Sequence, residues 1–493
     1  MHPTSPGISA ISVYLPPYRV DLEQWCSWTG APWAKVAAVV GNGFRVCGPE
    51  QNAYTMAASA ALSLILDNDI DPRRVGYLAL GTESSTDNAA GAVIVRGMLD
   101  QALRELGLPI LARDCEVPEF KHACLGGVYA MKAAARYLSC DGADRVAIVI
   151  ASDIAQYERG STGEQTQGAG AVAMAMEREP KLLALDLAHS GSASSYRGYD
   201  FRKPFARHFM PGYGGSGRDY PVFNGRYSTL CYLDEVICAI DQMFAKLGVE
   251  GPRRPFYDQL GGIFFHRPYQ HLPSTALATA LVWSLSREPE GAEELGELCA
   301  QAGVDLGLVL EQITRLSDPE FDLWTEVLAK GADHDPLAAV SAVTKQFRRG
   351  AYFRGFAADK LGLGASFVRE VGNLYTASLP AWLAAGLDDA RSQPELELAG
   401  KQLLLVGYGS GDAAEAMLAT VMPGWREAAG TIRFADTLAG SQQLTREDYE
   451  ALHAGRELDG TAAPASGFRI AEVGARNEPG FSDIGVEYYA FAG

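Results

Sequence analysis

The chain has 493 residues and 47% hydrophobic content, enough for a large core and too much for one simple domain. With 60 acidic against 42 basic residues its formal charge is −18. That balance argues against general binding to nucleic acid or to an anionic membrane, but one local basic patch would still admit a polyanionic small substrate.

The first residues, Met1 to Val20, carry Pro3, Pro6, Pro16 and Pro17 and lack a basic stretch followed by an apolar run. No uninterrupted apolar run of about 18 residues occurs, so no membrane span is expected. The eight cysteines, at 26, 47, 115, 124, 140, 231, 238 and 299, contain no C-x-x-C pair. A disulfide framework or a zinc site is therefore not expected, and a soluble cytoplasmic protein is.

Short apolar runs alternate with Ala-rich helical segments, the pattern of an α/β protein. In chain order, a strand is predicted over Ile8–Tyr14, a helix over Ala53–Leu66, a strand over Val75–Gly81, and helices over Ala90–Leu106 and Leu125–Leu138. Strands follow over Arg145–Ser152, Ala169–Met176 and Leu182–Leu187, then a helix over Tyr232–Leu247 and a strand over Gly262–Phe265. The remainder reads as a helix over Leu374–Ala385, a strand over Leu403–Tyr408, a helix over Ala413–Val421, and strands over Phe468–Val473 and Val486–Phe491. Strand–helix order is similar in residues 1–190 and 191–493, without a visible sequence repeat. Two regions break the rhythm. Phe205 to Tyr220 is rich in Gly and aromatics and reads as a loop able to cover a site. Arg287 to about Arg349 is acidic and helical by pattern, an insertion whose charges read as a solvated face.

Cys124 stands out. It lies in Lys121-His122-Ala123-Cys124-Leu125-Gly126-Gly127 at the start of a predicted helix. There, unpaired N–H groups and the helix dipole favour thiolate over thiol, as suits an acyl-carrying nucleophile. A buried structural cysteine is the plain alternative. Polar groups also follow four apolar strands, where open α/β sheets bind ligands. These are Glu83, Asp153, His266 and the segment Gly409-Ser410-Gly411. Singly, each has a structural reading: a helix cap, a strand-end acceptor, a core histidine, a turn with a helix N-cap.

Together they sit in motifs that resemble the 3-hydroxy-3-methylglutaryl-CoA synthase family of the thiolase superfamily. The motifs are Gly81-Thr82-Glu83-Ser84 with Asp87, Ala123-Cys124, and Ser152-Asp153-Ile154-Ala155 with Tyr157. Next come Thr166-Gln167-Gly168-Ala169-Gly170-Ala171-Val172, Tyr199-Asp200-Phe201-Arg202-Lys203-Pro204, and Tyr220-Pro221-Val222 with Gly225 and Ser228. The last are Phe265-His266 with Pro268-Tyr269, Gly372-Asn373-Leu374-Tyr375-Thr376-Ala377-Ser378, and Tyr408-Gly409-Ser410-Gly411.

The resemblance implies a thiolase-like fold, two similar halves in αβαβα layers with mixed five-stranded sheets. It implies condensation of acetyl-CoA with acetoacetyl-CoA, and no metal or redox cofactor. Cys124 would carry the acetyl group, Glu83 would take a proton from its methyl, and His266 would donate to the acetoacetyl ketone. The N–H groups of Cys124 and of the Gly409–Ser410 turn would form an oxyanion hole. Thr166, Ser228, Asn373 and Ser410 would line the substrate pocket, with Tyr199 and Asp200 holding its wall. A homodimer is implied.

The match departs in two places. Two lysines usual after the family's histidine are replaced here by His271 and Thr275, which moves the phosphate contacts toward Arg267, Arg202 or Lys203. The interval from His266 to Asn373 is 107 residues, longer than in compact bacterial members. Three other readings remain: a β-branching synthase working on acyl carrier proteins, a ketoacyl synthase built on Cys124, His266 and Asn373, and a non-catalytic scaffold.

Overall fold

The computed structural model describes residues 5–85, 90–198, 200–203, 220–222, 224–249, 251–316, 318, 320–331, 333–458 and 467–493. Asp87, Tyr199 and, apart from Tyr220, the loop expected over 205–220 lie outside the described residues.

Among the described residues, nine strands form one mixed sheet. They are β1 (Gly7–Tyr14), β2 (Val75–Gly81), β3 (Glu119–Phe120), β4 (Val146–Ala155), β5 (Gly168–Glu177), β6 (Leu183–Ser194), β7 (Gly262–Phe265), β8 (Gln402–Gly409) and β9 (Ala413–Val421). The order across the sheet is β3-β2-β4-β5-β1-β6-β9-β8-β7. The first five in that order come from the first half of the chain. The other four are β6, which begins in the first half, and three strands of the second half, joined to the five where Gly7 and Ile8 meet Ala184 and Leu183. Strand β6 crosses residue 190 and pairs with β9 along residues 183–194.

Continuous apolar runs form these strands because both faces are covered. On β2 and β4, Leu78, Leu80, Ile148 and Ile150 pack with helices α1 (Ala53–Asp67) and α2 (Gly91–Glu105). The alternate residues Tyr77, Ala79, Ala147 and Val149 pack with α3 (Gly126–Ser139). In the second half α4 (Gly225–Leu247) covers β6 and β9. Helix α3 also reaches the second half's strands: Leu125 and Val128 lie against Gly407, and Lys132 pairs with the buried carboxylate of Glu415. Its counterpart α10 (Ser378–Arg391) touches β1 and β5 as well as β7 and β8. Both helices thus lie between the two sets of strands, with the other helices outside, in five layers.

Two expectations at one place are corrected. Ala413–Val421 is strand β9, not a helix, and Gly409-Ser410-Gly411 is the turn of a β8–β9 hairpin, not a helix N-cap. The Ala-rich composition favours a helix locally. Flanked by β8 and β6 and buried on both faces, however, these small side chains fit a crowded central strand, and packing overrides propensity. Helix α4 also begins at Gly225 rather than Tyr232.

The insertion is helical as expected. It forms α6 (Gly291–Ala302), α7 (Leu306–Arg315), α8 (Leu323–Lys330) and α9 (Ala338–Arg349), and α9 packs on α5 (His271–Leu285). At the C-terminus, β10 (Gly467–Val473) and β11 (Glu487–Ala492) pair as an antiparallel hairpin on α1 and α2. Among the described residues, no helix is long and apolar enough to cross a membrane.

Candidate active site

Glycines bring the reactive groups together. A Cβ on Gly81 at the end of β2 would lie 2.4 Å from the Gly127 nitrogen, and one on Gly126 would lie 2.7 Å from the Phe120 carbonyl oxygen. Only bare backbone lets the end of β2 close on the start of α3. Ala123, just before the cysteine, takes a left-handed φ of 41°, an uncommon conformation for a residue with a Cβ. The result is that Cys124 Sγ–H donates to Glu83 Oε2 across 3.6 Å.

Asp153, buried at the end of β4, organises the carboxylate's loop. Its Oδ1 accepts from Thr82 Oγ1 at 2.8 Å, Glu83 N at 2.8 Å, Ser84 N at 3.0 Å and Ser84 Oγ at 2.8 Å. Its Oδ2 accepts from Thr376 N at 2.9 Å and from the Thr376 hydroxyl. Lys203 Nζ donates to the Glu83 carbonyl at 3.1 Å. Strand ends from one half and the Asn373 segment of the other therefore fix Glu83 jointly.

His266 continues the β7–β8 pairing through its N–H to the Val406 carbonyl at 2.7 Å. Its own carbonyl accepts from Tyr232 Oη at 2.9 Å. The ring packs beside the Tyr232–Tyr408 pair, its centroid 6.5 and 6.3 Å from theirs, and Nδ1 has no hydrogen-bond partner among the described residues. Burial, helped by Arg267, lowers its pKa to about 3, so the imidazole is neutral at ordinary pH.

Cys124 departs from the sequence expectation. Burial, then the charges of Glu83 and Asp153, push its pKa well above the ordinary thiol value. The helix-start effect is outweighed by burial and by two carboxylates that only the fold brings near, and the resting group is a thiol.

Cys124, His266, Thr166, Ser228, Asn373 and Ser410 all line one cavity of about 290 Å³. Ser228 Oγ has no partner among the described residues, whereas Thr166 Oγ1 donates to the Gly163 carbonyl at 2.8 Å. Asn373 N donates to the Thr166 carbonyl at 3.1 Å, and its Oδ1 accepts from Tyr375 N and Ser378 Oγ. Gly409 packs against the cysteine loop, since a Cβ there would stand 2.6 Å from the His122 carbonyl oxygen. Asp200 accepts from Tyr408 Oη at 3.0 Å, in keeping with a wall role. The sequence reading missed the aromatic lining by Tyr232, Tyr269 and Tyr375 as site residues. Tyr269 and Tyr375 lie within the family-like motifs, but the left-handed φ of 47° at Tyr375 has no sequence signal.

Comparison with known proteins bears on what this cavity is. The family model described as "Hydroxymethylglutaryl-coenzyme A synthase N terminal" matches residues 2–180, and the corresponding C-terminal model matches residues 356–459. The chain belongs to the hydroxymethylglutaryl-CoA synthase family. It is 26% identical to the hydroxymethylglutaryl-CoA synthase of Enterococcus faecalis over 451 residues, 91% of each chain. It is 28% identical to the cytoplasmic enzyme of Gallus gallus over 423 residues, 84% of this chain and 71% of that one. A solved structure of MvaS in complex with 3-hydroxy-3-methylglutaryl coenzyme A aligns over 99% of both chains, with TM-score 0.74 and 27% identity. A curacin-pathway HMG synthase in complex with holo donor-ACP aligns at TM-score 0.67 but only 17% identity, a likeness of fold. The chain is an enzyme of this family with the thiolase-like fold.

Each of the cations suggested in place of the family's two lysines has a partner within the protein. Arg267 is buried and donates to Gln270 Oε1. Arg202 is committed to the carbonyls of Phe201, Arg197 and Gly411, and Lys203 to that of Glu83. Arg202 and Lys203 thus hold backbone carbonyls in place, and Arg267 holds a side-chain amide.

Proposed function

We propose that this enzyme condenses acetyl-CoA with acetoacetyl-CoA to give 3-hydroxy-3-methylglutaryl-CoA, with Cys124, Glu83 and His266 as its catalytic residues. The observation that carries the reading is the Cys124–Glu83 contact at the edge of an acyl-sized cavity that His266 also lines. Family membership supplies the substrate class.

The steps follow from these groups. As Cys124 attacks the acetyl-CoA carbonyl, Glu83 accepts the thiol proton. Coenzyme A departs as a thiolate and takes that proton, leaving acetyl-S-Cys124 beside an ionised Glu83. Glu83 then removes a methyl proton, and the carbanion adds to the ketone of acetoacetyl-CoA. The neutral imidazole of His266 donates a hydrogen bond to the forming alkoxide, which collects the proton held by Glu83. The N–H groups of Cys124 and of the Gly409–Ser410 turn stabilise the thioester oxygen, a contribution of about 10²–10³-fold per donor in such sites. Water finally cleaves the Cys124 thioester: one of its protons restores the thiol, the other passes to solvent, and the product leaves as a carboxylate. The unpartnered Ser228 hydroxyl, together with Thr166, Asn373 and Ser410, holds the substrate, and the chain works as a homodimer.

The test is turnover of acetyl-CoA plus acetoacetyl-CoA, with label from acetyl-CoA trapped on the protein. Label at Cys124 together with condensation supports the reading. Absence of label, or preferred turnover of acetyl groups on an acyl carrier protein, overturns it.

A further inference from the structure

The insertion helix α9 lies over the two positions where the family's lysines are missing. Arg348 Nη1 stands 2.6 Å from His271 Nε2 and 3.2 Å from Thr275 Oγ1, and Nη2 stands 3.1 Å from His271 Nδ1. Arg348 Nε and the neighbouring Thr344 Oγ1 are buried with no hydrogen-bond partner. Around them opens a groove of about 680 Å³, within the range of ligand sites.

Its lining includes Arg226, Lys345, Arg348 and Arg349 against one carboxylate, Asp335, whose Oδ1 already accepts from Leu337 N. Among the described residues, none of these four cations forms an ion pair with a carboxylate, and Arg226 donates instead to the Asp333 carbonyl. In a chain of charge −18, such a concentration of unneutralised cations is a local exception. The groove also adjoins the catalytic cavity. Thr229 lines both, while Gly225 and Ser228 of α4 face the cavity and Arg226 and Leu230 of the same helix face the groove.

We infer that this groove binds the phosphate groups of the CoA thioester, with α9 of the insertion supplying the cations and Arg348 as the principal one. A thioester carbonyl at Cys124 then leaves the pantetheine arm running past Thr229, with the anionic end of the molecule among guanidinium and ammonium groups. This rests on the CoA-thioester reading above and adds the phosphate subsite to it.

The test is binding of coenzyme A itself to the full chain, compared with pantetheine, which has no phosphate. Arg348→Gln is expected to weaken coenzyme A by about ten-fold or more, as for loss of a charged hydrogen bond. It should also reduce the salt dependence of binding and leave pantetheine affinity unchanged. Lys345→Gln with Arg349→Gln, both on the exposed side of α9, should weaken coenzyme A in the same sense and guards against a folding defect at Arg348. Unchanged coenzyme A affinity in both variants, or an equal loss for pantetheine, overturns the inference even where condensation proceeds. Arg348-dependent coenzyme A binding without condensation would support the groove and sink the proposed reaction. Binding of an acyl carrier protein in preference to coenzyme A, lost in the same variants, would overturn the inference in favour of a protein docking face.

Discussion

The sulfur of Cys124 and the carboxylate of Glu83 share a hydrogen bond 3.6 Å long, although 41 residues separate them in sequence. Burial, and then the pairing, keep a proton on the sulfur in the resting enzyme, because an anion is disfavoured away from water and again beside a second anion. Alkylation of Cys124 by iodoacetamide, followed by peptide mass spectrometry, is expected to be slow at neutral pH. It should still be rising above about pH 9, beyond the ordinary thiol range. Glu83→Gln removes one of the charges responsible and should move the alkylation midpoint to lower pH. A wild-type midpoint below the ordinary thiol value would show that the helix start governs the sulfur after all.

Loss of Glu83 should separate acylation from condensation. In Glu83→Ala the sulfur loses its proton acceptor but is also easier to ionise, so the two effects on acetylation oppose each other. No such offset exists for proton removal from the acetyl methyl. Label from acetyl-CoA should still reach Cys124, while condensation falls by about 10²–10⁴-fold, the usual contribution of a positioned base. Cys124→Ala should take no label. Condensation surviving in Glu83→Ala would assign the base elsewhere and revive the reading built on Cys124, His266 and Asn373.

The buried imidazole of His266 links stability to pH. Its folded pKa, about 3, lies below the unfolded value of about 6.5, so between these limits the unfolded chain binds the proton. Stability is therefore fully present above pH about 6.5 and declines as pH falls toward about 3. Burial depresses His122 and His271 in the same direction, so the wild-type slope is shared. Urea unfolding between about pH 6.5 and 5 should show a smaller slope for His266→Asn than for the wild type. Equal slopes would mean that His266 is not held neutral.

The parts of this molecule legible in its sequence were those set by local pattern. Val75–Gly81 and Gly262–Phe265 are strands with the boundaries their apolar runs suggest. Strand β9 was misread because its alanines favour a helix locally, while its pairing with β6, on the side away from the β8 hairpin, depends on chain more than 200 residues away. The cysteine's protonation was misjudged for a similar reason: the helix start is visible in sequence, whereas Glu83 and Asp153 reach the sulfur only through the fold. Arg348 was hidden in an insertion read as a solvated face, and only the packing of α9 on α5 places it over His271 and Thr275.

Two glycine substitutions test whether close backbone approach, rather than glycine content, builds the site. At Gly81 an added Cβ would meet the Gly127 nitrogen at 2.4 Å and the Gly126 carbonyl carbon at 2.6 Å. Both are main-chain atoms at the start of α3, so no side chain can swing aside. The end of β2 must move away, carrying Glu83 from Cys124. Gly81→Ala should cost about 1–3 kcal/mol by urea unfolding, as overpacking does. Condensation should fall by about 10²-fold even where the protein is fully folded, the scale expected for a misplacement near 1 Å. Gly97 provides the contrast: it lies within α2 with nothing within 4 Å of its added Cβ. Gly97→Ala should raise stability by about 0.5–1 kcal/mol and leave condensation unchanged. If Gly81→Ala condenses at the wild-type rate, the approach of β2 to α3 does not set the Cys124–Glu83 contact, and the geometric basis of the proposed chemistry fails.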